Sequence, residues 1–158
     1  MYIAIYSAFF SPTSIAYIKT VIDYLNANQH DFILVDSLRK HLDDKGAAYK
    51  YFKYDQVIEE KVDFLFSVGG DGTLLRSITV IRDTKIPILG INAGRLGFLT
   101  SIKKYTLEEG LDLFFERKYT NIKRSLLEVT TKKPVDTLQH FKYALNEVSI
   151  NRKNTTSL

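Results

Sequence analysis

Five residues, Gly69-Gly70-Asp71-Gly72-Thr73, carry the sharpest chemical signal in this sequence. An apolar run from Asp63 to Val68 leads into them, and Leu74, Leu75, Ile78 and Ile81 follow at helical spacing. Three glycines between a strand and a helix let the backbone come close to a ligand. The helix that follows would aim free N–H groups and the positive end of its dipole at that ligand, a geometry suited to phosphate. Asp71 is out of place in a pure phosphate cradle, because a carboxylate repels phosphate. Another role must explain it, as general base, Mg2+ ligand, or acceptor of a hydrogen bond from a substrate hydroxyl. Thr73 would be an N-cap or a phosphate contact. A tight turn is the competing reading, since Asp-Gly is common in turns and Asp or Thr often only caps a helix. No Gly-Lys-Ser/Thr follows, and G-x-G-x-x-G is absent. The segment is therefore neither a Walker A loop nor the dinucleotide fingerprint.

A second glycine-rich stretch runs from Gly90 through Ile91-Asn92-Ala93-Gly94-Arg95-Leu96-Gly97 to Phe98-Leu99. Asn92 could donate or accept hydrogen bonds there, and Arg95 could meet phosphate. Taken alone, this stretch also reads as a structural loop. Asn146-Glu147 is a third candidate, inside the extended apolar segment Tyr143 to Ile150. Its competing reading is the solvent face of a strand.

These residues need elements to hold them. Tyr2 to Ser7 reads as a buried strand. Ser11-Pro12 suits the start of a helix, and Ile15, Ile18, Ile22 and Leu25 recur at helical spacing behind it. Phe32 to Val35 predicts a second strand, and Leu38 to Lys45 a helix stopped by Gly46. Asp63 to Val68 is the third strand and Pro87 to Ile91 the fourth. Thr106-Leu107-Glu108-Glu109 has capping-box form ahead of Leu111, Phe114 and Phe115. Alternating strands and helices predict an α/β, Rossmann-like parallel sheet with flanking helices over residues 1–118. Adjacent parallel strands would then put both glycine-rich loops on one edge of the sheet. Beyond that point, Tyr119 to Thr131 and Phe141 to Arg152 read as extended segments around Lys132-Lys133-Pro134. Residues 119–158 are expected to be the first strands of a β-rich second domain, incomplete here. A strand pair docked on the first domain is the alternative.

Composition narrows the chemistry. The chain has 158 residues, no Cys and three scattered histidines, His30, His41 and His140. A disulfide scaffold, a thiolate metal site and a Cys nucleophile are excluded, and a His-based metal site is not expected. Hydrophobic residues make up 45%, enough for a packed core. The net charge of +4 favours anionic small molecules slightly but does not argue for nucleic acid, because the basic residues are dispersed. No apolar stretch has membrane-span length, and MYIAIYSAFF lacks a basic region ahead of its apolar residues. The expectation is a cytoplasmic protein with no membrane or nucleic-acid partner.

Taken together, GGDGT at 69–73, GINAGRLGFLT at 90–100, Arg124 with Leu127, and ALNEV at 144–148 resemble the NAD kinase family in order and spacing. GGDGT alone is weak, since diacylglycerol and related lipid kinases carry it and phosphofructokinases carry a close variant. In lipid kinases an Asn-Glu pair follows GGDGT almost immediately, whereas here Leu74-Leu75-Arg76 follows. The resemblance implies phosphoryl transfer from ATP, or polyphosphate, to the adenosine-ribose 2′-hydroxyl of NAD, giving NADP. It implies Asp71 as the catalytic proton acceptor, and Gly70, Asp71, Gly72 and Thr73 around the nucleotides. Arg76 falls where the family often has a basic residue of the NAD site. Asn92, Asn146, Glu147 and Ser157 complete the implied binding set. Mg2+ would neutralise phosphate charge, with no protein metal site, and the full-length form would be a homo-oligomer. NAD kinases usually continue into a strand-rich domain bearing a Gly-Ser-Thr-Ala-Tyr-type segment, absent here. This chain is therefore expected to be an incomplete, inactive form. The alternatives are a GGDGT-type lipid kinase and a non-catalytic NAD- or ATP-binding module.

Overall fold

The computed structural model describes residues 1–42, 48–54, 58, 61–94, 97–102, 107–136, 138 and 141–150. The chain divides into two compact units, Met1–Asn121 and Ile122–Leu158.

The first unit is a parallel sheet with helices in its crossovers. Its elements are β1 (Tyr2–Tyr6), α1 (Pro12–Ala27), β2 (Asp31–Val35), β3 (Tyr51–Phe52), β4 (Phe64–Gly69), α2 (Asp71–Ile81), β5 (Ile88–Asn92) and α3 (Leu107–Phe115). The strands lie in the order β3-β2-β1-β4-β5, and each pairing is parallel. Burial on both faces explains the near-continuous apolar strands. Ile3, Ala4 and Ile5 of β1, and Leu65, Phe66 and Val68 of β4, are fully buried. At about 1.5–3 kcal/mol for each large side chain, these two central strands anchor the unit.

α1 begins as its sequence predicts. The Ser11 hydroxyl accepts the Ser14 amide at 3.1 Å, and the Ser14 hydroxyl accepts the Ser11 amide at 2.8 Å. This is a reciprocal capping box, with Pro12 at the first helical position. Ile18, Val21, Ile22 and Leu25 then face the core. In α3 the buried residues are Leu107, Leu111 and Phe114. The proposed cap Thr106 lies outside the described residues, as does Gly46. Rings join α3 to the sheet, with Phe114 edge-on to Phe66 at 5.1 Å and to Phe64 at 4.8 Å. Asp112 of α3 accepts a hydrogen bond from Tyr24 of α1 at 2.5 Å. Burial, and then this bond, pushes the Tyr24 phenol up to about 12.

Two expectations need correction here. Over its described part, Leu38 to Leu42, the helix read to Lys45 is instead a 3₁₀ turn at Asp36–Lys40, followed by a turn at His41 and a bend at Leu42, while 43–45 lie outside the described residues. Leu38 and Leu42 have i, i+4 spacing, but two buried anchors do not offset the cost of nucleating an α-helix. The sheet also gains a fifth strand, β3, which the sequence reading missed because only Tyr51 and Phe52 pair, against Leu34 and Val35.

In the second unit β6 (Leu127–Glu128) pairs antiparallel with β7 (Tyr143–Ala144). Val129 adds an amide bond to the Lys142 carbonyl at 2.8 Å, and Lys142 pairs with Glu128 at 2.5 Å. That bond raises the Lys142 pKa. Among the described residues, the extended segments read from sequence are therefore paired as strand over only two residues each. Leu127 and Tyr143 stay about half exposed, as expected of a two-stranded ribbon that cannot bury a face by itself.

Candidate functional site

β4 and β5 are neighbours, with Gly69 opposite Asn92. Both glycine-rich loops therefore leave the same edge of the sheet, at the carboxyl ends of their strands, as the alternation predicts. The sheet changes direction between β1 and β4, so the GGDGT loop also flanks the topological switch point, where open α/β sheets bind ligands.

Gly70 is the N-cap of α2, and its carbonyl accepts the amides of Thr73 (3.0 Å) and Leu74 (3.2 Å). Thr73 is thus not the N-cap. It sits in the first turn, 2% exposed, with its hydroxyl and methyl against Gly69. A Cβ on Gly69 would overlap that side chain, so glycine is required there by packing. Gly70 has open space where its Cβ would stand, which leaves the N-terminal face of α2 accessible.

Asp71 is the first helical residue and is half-buried. Its carboxylate accepts two backbone amides from the second glycine-rich loop: Phe98 N–H to Oδ2 at 2.8 Å, and Leu99 N–H to Oδ1 at 3.0 Å. A Cβ on Gly97 would overlap the same carboxylate. The loop at 97–99 is therefore a socket for Asp71. Each carboxylate oxygen keeps further lone-pair capacity, so the group can still accept a hydrogen bond from a bound hydroxyl. Asn92 is buried, and its Oδ1 accepts the Gly94 amide at 2.8 Å, which braces the turn behind the socket. The Ala93 amide bonds the Gly69 carbonyl at 3.1 Å and ties the two loops together at their roots.

Arg76 lies one turn along α2, exposed, with its guanidinium carbon 4.9 Å from the centroid of the Phe9 ring. Phe9 belongs to the loop after β1. Burial raises the pKa of Tyr6, the last residue of β1, while the charge of Arg76 works in the opposite direction.

The sequence of residues 12–119 matches the model of the ATP-NAD kinase N-terminal domain. The chain belongs to the NAD kinase family. It is 36% identical over its whole length to the NAD kinase of Flavobacterium psychrophilum and 33% identical to that of Flavobacterium johnsoniae, covering 55% of each relative. It is 40% identical to the NAD kinase of Porphyromonas gingivalis over 64% of the chain and 34% of that relative. The chain thus spans about half the length of the curated relatives it matches. Its fold resembles that of yeast NADH kinase, whose crystal structure holds NADH. The TM-score is 0.62 at 14% identity, over 80% of this chain and 40% of that one. At that identity the likeness establishes the fold alone.

The NAD kinase motifs are distributed over both units. Gly70, Asp71, Gly72, Thr73, Arg76 and Asn92 stand in the first unit. Asn146 falls in the second, in an exposed bend just after β7 and not inside a strand, and exposed Glu147 follows it. Ser157 and Arg95 lie outside the described residues. Among the described residues no three His, Asp or Glu side chains cluster as metal ligands, and no helix is long and apolar enough to cross a membrane.

Sequence reasoning missed the socket itself. The groups that grip Asp71 are the amides of Phe98 and Leu99, and backbone amides have no residue-type signature. It also missed Phe9. The available signal was position, since Phe9 follows the first strand of a parallel sheet and so falls at its carboxyl edge, beside the glycine-rich loops.

Proposed function

We propose that this chain carries the catalytic carboxylate of an NAD kinase, which transfers a phosphoryl group from ATP, or inorganic polyphosphate, to the adenosine-ribose 2′-hydroxyl of NAD. The observation that carries this reading is Asp71, fixed at the N-terminus of α2 by the Phe98 and Leu99 amides. Family membership supports the substrate class.

A ribose hydroxyl is a poor nucleophile near neutral pH. A carboxylate fixed within hydrogen-bond reach orients it and accepts its proton as the bond to phosphorus forms. The new bond joins the 2′-oxygen to the transferred phosphorus. The bond that breaks links that phosphorus to the leaving phosphate oxygen of the donor, and the proton passes to Asp71. Most of the acceleration comes from positioning and from neutralising the transferred group's charge. The open face of Gly70 and the free N–H groups of α2 suit the phosphates. Asp71 is the carboxylate that the GGDGT loop itself supplies, and among the described residues no three acids or histidines cluster as metal ligands. That donor set fits a Mg2+ held chiefly by nucleotide phosphates, where it supplies charge neutralisation when bound. Asn146 and Glu147 are assigned to NAD, through ribose hydroxyls, and Ser157 to a further contact. The cytoplasm and a homo-oligomeric state belong to the same proposal.

The test is NADP formation from NAD and Mg-ATP, by the complete natural protein that carries this chain and by the 158-residue chain itself. Activity in the complete protein that Asp71→Asn abolishes supports the reading. NAD binding without NADP formation points to a non-catalytic module. Phosphorylation of a diacylglycerol in a parallel assay points to a lipid kinase.

A further inference from the structure

Two loops flank the topological switch point between β1 and β4, where open α/β sheets form their ligand crevice. The GGDGT loop after β4 is one. The loop after β1, Ser7-Ala8-Phe9-Phe10, is the other, and the family motifs assign it no role. Phe9 there is an apolar ring left 56% exposed. Its backbone is nonetheless fixed, because its carbonyl accepts the hydroxyls of Ser7 at 3.1 Å and Ser14 at 3.0 Å. Both serines are buried, and Ser14 is itself locked into the capping box of α1. The ring edge stands 3.8 Å from where a Cβ on Gly72 would be, so it lies against the GGDGT turn. The Arg76 guanidinium rests over the same ring at 4.9 Å, within cation–π range. Among the described residues no carboxylate forms an ion pair with Arg76.

We propose that Phe9 is a positioning residue, which holds the Arg76 guanidinium at the mouth of the switch-point crevice to meet the phosphate chain of a bound nucleotide. This rests on the functional reading above. A long cationic side chain is ordinarily spread over many rotamers, and a fixed aromatic face narrows that spread before the ligand arrives. The phosphate chain is either the diphosphate of NAD or the triphosphate of ATP.

The experiment uses the complete natural protein and measures kcat and the KM for NAD and for ATP separately. Phe9→Leu keeps bulk and loses the ring, whereas Phe9→Tyr keeps the ring. Phe9→Leu is expected to raise one of the two KM values about three-fold with kcat nearly unchanged, and Phe9→Tyr to restore it. Arg76→Gln should raise the same KM further, and Phe9→Leu should add nothing in that background. The substrate whose KM responds identifies the phosphate chain. Unchanged KM values, an equal Phe9→Leu effect with and without Arg76, or failure of Phe9→Tyr to rescue would each overturn the proposal. If the wild-type protein makes no NADP, the functional reading fails separately. Calorimetric titration of the same variants with ATP and with NAD then decides the role of Phe9 on the same criteria.

Discussion

The amide of Phe98 donates to Oδ2 of Asp71 at 2.8 Å, across 27 residues of sequence. With the Leu99 amide on Oδ1, it makes the second glycine-rich loop a holder for the acid of the first. The two motifs are thus one device. The helix start supplies the carboxylate, and the neighbouring loop sets its direction.

Asp71→Asn tests the acid. Asparagine is nearly isosteric, so the fold should persist, with a melting temperature within a few degrees of wild type. NADP formation by the complete protein should fall by on the order of 10²–10⁴. Equal activity in the variant would remove Asp71 from the chemistry.

Gly97→Ala tests the socket. Its Cβ would occupy the space of the Asp71 carboxylate, so that group must move. A displacement near 1 Å costs on the order of 100-fold in rate. Gly70→Ala is the counterpart, because its Cβ meets nothing within 4 Å and its φ of −97° suits any residue. It should leave the thermal melt almost unchanged while weakening nucleotide binding, measured by calorimetry, through intrusion on the open face. A kinetic constant untouched by Gly97→Ala would sink the socket.

Phe66→Ala tests how the sheet carries the loop. Phe66 is fully buried in β4, between β1 and β5, and packs edge-on against Phe114. Its loss should destabilise the protein by about 3–5 kcal/mol, measured by urea unfolding. A loss under about 1 kcal/mol would mean that the site does not depend on this core.

His30 should make stability pH-dependent. Its ring stacks on Phe115 at 4.0 Å, and burial, followed by the N-terminal charge, lowers its pKa below 6.5. The unfolded chain then binds a proton more readily than the folded one, so stability rises with pH through this range. The contribution is present above about 6.5 and is lost as pH falls through the folded value. Thermal melts at pH 5.5 and 7.5 should differ less in His30→Phe than in wild type. Equal differences would remove His30 as the cause.

What the sequence determined was local or periodic. Ser11 and Pro12 start α1 through contacts within four residues. The apolar runs of β1, β2, β4 and β5 are nearly continuous because a parallel sheet is covered on both faces. GGDGT between strand and helix located the candidate acid for the same reason. The tertiary structure decided what depends on distant partners. Leu38 and Leu42 have helical spacing but sit in a 3₁₀ turn and a bend, where helix nucleation is too costly for so short a segment. Tyr51 and Phe52 become a strand only because Leu34 and Val35 stand beside them. The grip on Asp71 comes from amides that every residue possesses, and the stacking of Arg76 on Phe9 joins residues 67 apart in the chain. Residue type cannot encode such contacts, because they exist only once β1, β4 and β5 are laid side by side.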